Sequence, residues 1–156
     1  MEDKETQIRR IMLSLNRIDE IYYRWGRRVG LKENMLALLY ALSDGGHYTQ
    51  KQISEEWLIP KTTINTIVKE CVRSGHVVLR HEPHSKEKLI CLTDAGREYT
   101  EEVLRTLKQA EMQAFDETVE KCGAGITEVF EEFADRLKEA CEAAGPESPS
   151  SEENVD

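Results

Sequence analysis

Only two residues, Leu58 and Ile59, separate two stretches of helical patterning in the middle of this 156-residue chain. Thr49 is placed to cap a short helix over roughly Gln50–Trp57, because its side-chain oxygen satisfies a free N–H of the first turn. Pro60 opens a second helix over roughly Pro60–Ser74, at a position where its missing N–H costs nothing. Ile64, Ile67, Val68 and Cys71 recur at helical spacing and give that helix one apolar face, and Gly75 ends it. Two helices on so tight a connection form a helix-turn-helix. Two β-rich runs follow, His76–His81 and Lys88–Leu92. The segment Glu82–Glu87 joins them, with Pro83 and Ser85 in the turn, so they predict a hairpin with a charged tip. Thr93 then caps a long helix over roughly Asp94–Lys121.

The flanks are helical as well. Over residues 6–29, Ile8, Ile11, Leu15, Ile18, Tyr22 and Trp25 recur every three or four positions, and Gly30 is the expected stop. A helix over about Glu33–Ser43 holds Met35, Leu36, Leu38, Leu39 and Leu42 and ends at Asp44-Gly45-Gly46. The helix after Thr93 has Tyr99, Val103, Leu107, Ala110, Ala114, Thr118 and Cys122 along it. At 1.5 Å per residue it runs about 40 Å, more than a domain of this size covers alone. Gly123 and Gly125 break it, and a last helix over about Ile126–Ala144 places Ile126, Phe130, Phe133, Leu137 and Cys141 on one face. The predicted fold is mainly α with a small β-hairpin wing: a winged helix-turn-helix flanked by long N- and C-terminal helices. Their apolar faces exceed what one lobe covers, which points to a homodimer. The expected organisation is a dimerisation helix at 1–30, the winged lobe at 31–93, C-terminal dimerisation helices at 94–144 and a disordered acidic tail at 145–156.

Composition excludes several other classes. The chain is 39% hydrophobic, 33% charged and 6% aromatic, with four prolines, so it is neither collagenous nor low-complexity. No segment approaches the roughly 18 apolar residues of a membrane span, and MEDKETQIRR is charged where a signal peptide needs an apolar stretch. A cytoplasmic protein without membrane contact is expected. Cys71, Cys91, Cys122 and Cys141 are far apart and form no CxxC pair, so they read as free thiols. Cys71 and Cys91 sit on apolar faces, and Cys122 is the accessible one expected. No Gly-rich phosphate loop, GxSxG or HExxH occurs, and no catalytic role or cofactor is predicted. His76, His81 and His84 gather near the hairpin with Cys91, but without the tight ligand spacing of a metal site.

The formal net charge of −9 conceals an uneven distribution. Residues 1–48 and 49–98 each carry 8 basic and 7 acidic side chains, whereas 99–156 carry 5 and 16. Between Ile59 and Lys88 there are six basic residues and three acidic ones. Binding responds to the local field, so a small basic surface suits an anionic partner even on an acidic protein. The exposed positions of the second helix, Lys61, Thr62, Thr63, Asn65, Thr66 and Lys69, are short hydrogen-bonding side chains and cations. β-branched threonine is a poor choice for an idle surface helix. Asn65 suits bidentate pairing with adenine, the threonines suit a thymine methyl or a phosphate, and the two lysines suit phosphates.

Residues 31–99 resemble the MarR family of bacterial transcription regulators. The resemblance is carried by LKENMLALLYAL, by TQKQISEEWLIPKTTINTIVKECVRSGHVVLR and by KLICLTDAGREY, with LTDAG between hairpin and long helix as its most specific marker. It implies a homodimer whose two lobes straddle double-stranded DNA at a pseudo-palindromic operator, most often as a repressor. It also implies that positions 61–66 face the major groove. The family's wing usually carries an aspartate and, two residues later, an arginine. Here the matching positions are His84 and Lys86, which with Lys88 keep positive charge at the tip but lose the guanidinium fork. Many relatives sense a small, often aromatic, effector between the dimerisation helices and the lobe; Tyr22, Trp25, Tyr40 and His47 are the candidates here. Two other readings remain open: a protein-interaction module of the same shape, and a metal- or thiol-responsive sensor.

Overall fold

In the computed structural model, which describes residues 2–145, six helices and three short strands follow in the order expected of a winged helix. The elements are α1 (Lys4–Arg28), α2 (Glu33–Leu42), β1 (Tyr48–Thr49), α3 (Gln50–Glu56), α4 (Lys61–Arg73), β2 (Val77–His81), β3 (Lys88–Leu92), α5 (Asp94–Cys122) and α6 (Ile126–Ala144). The expected acidic tail lies outside the described residues, apart from Gly145. The chain forms two compact units, one up to Lys108 and one from Gln109 onward.

The first unit is built around one apolar core. Leu38, Leu42, Ile53, Ile59, Ile64, Val68, Val77 and Ile90 are almost wholly buried there. Each such side chain contributes roughly 1.5–3 kcal/mol when removed from water. A second cluster sets Leu36 of α2 against Leu104 and Leu107 of α5, with Tyr22 and Trp25 of α1 packed on it. The packed face of α5 runs through Gly96, Thr100, Leu104 and Leu107. That is one residue away from the line drawn through Tyr99 and Val103, because Thr100 is buried despite its hydroxyl.

The helix-turn-helix is closed by local bonds. Thr49 and Gln52 form a reciprocal capping box at the start of α3. At its end, Trp57 N–H donates to Ile53 O, and Ser54 Oγ reaches across the turn to Ile59 O at 2.6 Å. Leu58 takes a left-handed conformation (φ 51°) with its side chain 86% exposed, while Ile59 is anchored in the core. A β-carbon in that region costs about 1 kcal/mol, and this exposed side chain returns little of it. Leu58→Gly is therefore expected to raise stability by about 0.5 kcal/mol, read from the urea midpoint at unchanged m-value.

The sheet is antiparallel with order β1-β3-β2, pairing Tyr48 with Ile90 and Val77 with Leu92. Two-residue β1 has no alternation to announce it, and the sequence pattern does not predict it. After β3, Thr93 fixes α5 to the turn that follows α4. Its hydroxyl donates to Gly75 O (2.6 Å) and accepts from Gly96 N–H (2.9 Å), while its own N–H donates to His76 O (3.0 Å). The first turn of α5 thus lies directly on the His76 backbone.

The second unit comprises the rest of α5 and α6. None of α6 is buried, although Val129, Phe130 and Leu137 are large and apolar. No described helix is long and apolar enough to cross a membrane.

Candidate nucleic-acid interface

Helix α4 carries two opposed stripes. Ile64, Ile67, Val68 and Cys71 are spaced i, i+3, i+4, i+7 and are buried in the core. Thr62, Asn65, Thr66 and Lys69 have the same spacing displaced by two residues, or about 200° around the axis, and are all exposed. Core packing therefore sets which side chains face solvent. Lys61 is exposed at the first turn and Thr63 is half-buried at the edge of the stripe. Thr66 Oγ1 donates back to Thr62 O at 3.1 Å, which ties its hydroxyl proton but leaves its lone pairs and methyl free. Asn65 makes no hydrogen bond among the described residues, so both ends of its amide are available.

Burial pushes the Cys71 thiol up to about 11, with the neighbouring Glu70 carboxylate adding to the effect. Cys71 and Cys91 are buried, while Cys122 and Cys141 are both exposed. The sequence pattern points to Cys122 as accessible but places Cys141 on an apolar face, and that face is uncovered. A raised thiol pKa leaves Cys71 protonated in the folded state. Its contribution to stability holds below the unfolded thiol value near 9 and is lost as pH climbs from there toward 11. Native protein at pH 8 is expected to spare Cys71 from iodoacetamide and to label it once urea is added, read by peptide mass spectrometry.

The hairpin tip is entirely exposed from His81 to Lys88. His84 adopts a left-handed conformation (φ 71°) in the turn, and Ser85 N–H bonds back to Glu82 O at 3.3 Å. His84 and Lys86 thus lie on the solvent-facing loop, and Lys88, also exposed, opens β3 beside it. Arg80, also exposed, stands on β2 opposite Leu89 and supplies a guanidinium fork that the tip itself lacks. Strand alternation from buried Val77 is the signal in the sequence for its outward placement.

A groove of about 490 Å³ runs beside α4, lined among others by Lys32, Asn34, Thr62, Thr63 and Thr66. Lys32 is the N-cap of α2 and gives no side-chain cap, so the N–H groups of that first turn keep their capacity for an acceptor. Sequence reasoning misses Lys32 and Asn34, although a lysine and an asparagine at a helix start are visible there. Glu70 also lines the groove, with opposite charge.

The aromatic candidates separate. Tyr22 and Tyr40 meet edge to face at 6.3 Å, and Tyr40 lies 5.4 Å from Trp57. These three rings line a pocket of about 430 Å³ together with Asp19, Glu33 and Leu36. Trp57 is not among the residues that the sequence points to. Trp25 does not line this pocket. It packs on the second core cluster, with its indole N–H buried and without a partner and the Arg28 guanidinium 5.4 Å from its ring. His47 is outside the pocket. His76 stacks on Tyr99 at 4.3 Å, and no group of three His, Cys, Asp or Glu among the described residues is arranged to hold a metal ion.

Residues 29–86 match the model of the MarR family. No curated protein sequence matches the chain. Among solved structures, NMB1585, a MarR family regulator from Neisseria meningitidis, is similar with TM-score 0.68 and 24% identity, over 88% of this chain and 95% of that one. The MarR family transcriptional regulator SPO1453 from Silicibacter pomeroyi DSS-3 superposes with TM-score 0.66 at 19% identity, covering 81% and 91%. AbfR of Staphylococcus epidermidis gives 0.64 at 21% identity, covering 88% and 93%. Over residues 29–86 the sequence matches the MarR family model, and over most of its length the chain has the winged-helix fold of these solved structures.

Proposed function

We propose that this protein is a DNA-binding transcription regulator, a binding protein without catalytic chemistry. The observation that carries the reading is the exposed stripe Thr62, Asn65, Thr66 and Lys69, held outward by the buried stripe behind it. A helix enters the major groove with side chains of this length and hydrogen-bonding character. Lys86, Lys88 and Arg80 on the hairpin supply phosphate contacts, and Lys32 with the α2 N-terminus supplies another. AbfR, whose fold the chain shares, has been solved bound to DNA.

The active form is a homodimer acting as a repressor in the cytoplasm. Ile8, Ile18 and Ile21 on α1, and Val129, Phe130 and Leu137 on α6, are 42–67% exposed. Apolar faces of that extent call for a partner. A two-fold dimer reads a pseudo-palindrome with half-sites about 10 bp apart. An aromatic effector in the Tyr22–Tyr40–Trp57 pocket changes operator affinity, which is a coupling between two sites.

The test is selection of bound fragments from random DNA by protein of known oligomeric state, followed by a salt titration. An inverted repeat with a steep negative slope of log K against log[salt] is the expected outcome. A folded dimer that enriches nothing at low salt overturns the reading. Lys86→Ala and Lys88→Ala are each expected to weaken binding alike on every sequence and to reduce the salt slope by about 1.

A further inference from the structure

Three aromatic rings line the pocket of about 430 Å³ between α1, α2 and the end of α3, and no lysine, arginine or histidine is among its described lining residues. Tyr22 meets Tyr40 at an interplanar angle of 85°, and Tyr40 meets Trp57 at 54°. Rings so inclined present π-faces in more than one direction, and a π-face carries negative potential. Leu36 and Ala37 of α2 add apolar surface.

The charged groups of the lining are both acidic. Asp19 and Glu33 are exposed, and neither is in an ion pair or a hydrogen bond among the described residues. The cations nearby are engaged elsewhere. On α1, Arg24 pairs with Glu20 at 2.7 Å and Arg17 donates to Ser14 Oγ at 3.0 Å. Arg28 lies over Trp25, which is outside the pocket, and Lys32 lines the groove beside α4. Lys108 Nζ comes within 5.8 Å of the Tyr40 centroid. It donates to Ser43 Oγ at 2.8 Å, and its charge acts on the Asp44 carboxylate. With Asp44 set against Lys108, the field at the rings is that of Asp19 and Glu33. A negative ligand would add a third like charge there, whereas a positive one meets π-faces and carboxylates together.

We propose that this pocket takes an aromatic organic cation, a quaternary ammonium or a protonated amine. Its charged head lies against the rings and faces Asp19 and Glu33, and its apolar part rests on Leu36 and Ala37. The inference names the charge class of the effector and rests on the reading of this pocket as an effector site.

The experiment is an NMR titration of the full chain, without DNA, with benzyltrimethylammonium, benzyl alcohol and benzoate. Benzyltrimethylammonium is expected to shift the Leu36 and Ala37 methyls and the Trp57 indole signal. Benzyl alcohol and benzoate are expected to bind at least about tenfold more weakly. Trp57→Leu should weaken the cation about tenfold, and Trp57→Phe should restore most of that loss, because it returns a π-face. The double variant Asp19→Asn, Glu33→Gln should weaken it about threefold, since both carboxylates are exposed and screened, and less at high salt. Affinity for the cation unchanged in Trp57→Leu or in the double variant overturns the proposal. Benzoate or benzyl alcohol binding as tightly as the cation, with shifts at the same signals, overturns the charge class and leaves the effector site standing. Silence of these signals with all three probes at millimolar concentration overturns both.

Discussion

Gly96→Ala is expected to destabilise the protein by about 3 kcal/mol or more. A β-carbon at this position falls 1.9 Å from His76 O and 2.8 Å from His76 C. The obstacle is backbone, which cannot rotate away as a side chain does. His76 O is also held, because it accepts the Thr93 N–H at 3.0 Å. Relief requires α5 to lift from the α4–β2 turn, which breaks the bonds of Thr93 to Gly75 and Gly96. The expected fall in melting temperature is about 10 °C, read by circular dichroism. Gly125→Ala is the control. Its backbone is not left-handed and a β-carbon there meets nothing within 4 Å, so it is expected to cost no more than about 1 kcal/mol, the N-cap preference for glycine over alanine at the start of α6. Thr93→Ala separates clash from cap: losing the capping oxygen alone costs about 1 kcal/mol. If Gly96→Ala melts with the parent, the close approach of α5 to His76 is wrong.

This glycine shows what the sequence disclosed and what it withheld. LTDAG marked the junction between hairpin and long helix, and Thr93 as a cap was legible because capping is a local interaction. The reason for glycine at 96 was not legible, since the atom that excludes a side chain belongs to His76, twenty residues earlier. The same division holds elsewhere. Helix α6 lies at the residues its periodicity marks, Ile126–Ala144, and α4 differs from its expected limits by one residue at each end. Strand β1 was not legible, because two residues become a strand only when β3 supplies the partner.

The site divides on similar lines. Lys61, Thr62, Asn65, Thr66 and Lys69 follow from the period of one helix, which fixes their face once Ile64 and Val68 are buried. Lys32, Asn34 and Trp57 come to their pockets only through tertiary packing. Trp25 and Tyr22 share one apolar stripe of α1 and both pack on the cluster with Leu36 and Leu104, yet only Tyr22 also lines the aromatic pocket. Periodicity identifies a face and not what that face meets.

Asn65→Ala is expected to weaken binding to the selected operator by about 1–3 kcal/mol, or roughly 5- to 150-fold, and to relax preference for adenine at one position of each half-site. A duplex stripped of the recognition sequence should bind the variant as it binds the parent. The salt slope should stay the same, because an amide neutralises no phosphate. Lys61→Ala and Lys69→Ala should behave oppositely, losing affinity on every sequence, with the slope falling by about 1 for each phosphate no longer neutralised. Folding does not confuse the comparison, since all three side chains are exposed and none packs in the core. In a dimer each substitution acts twice, so the losses per operator approach twice those per half-site when the halves are independent. An Asn65→Ala protein that keeps full affinity and full preference, while Lys61→Ala loses affinity uniformly, would leave α4 as an electrostatic anchor and move sequence reading to another element. The exposed Arg80 on the hairpin would then be the next residue to change.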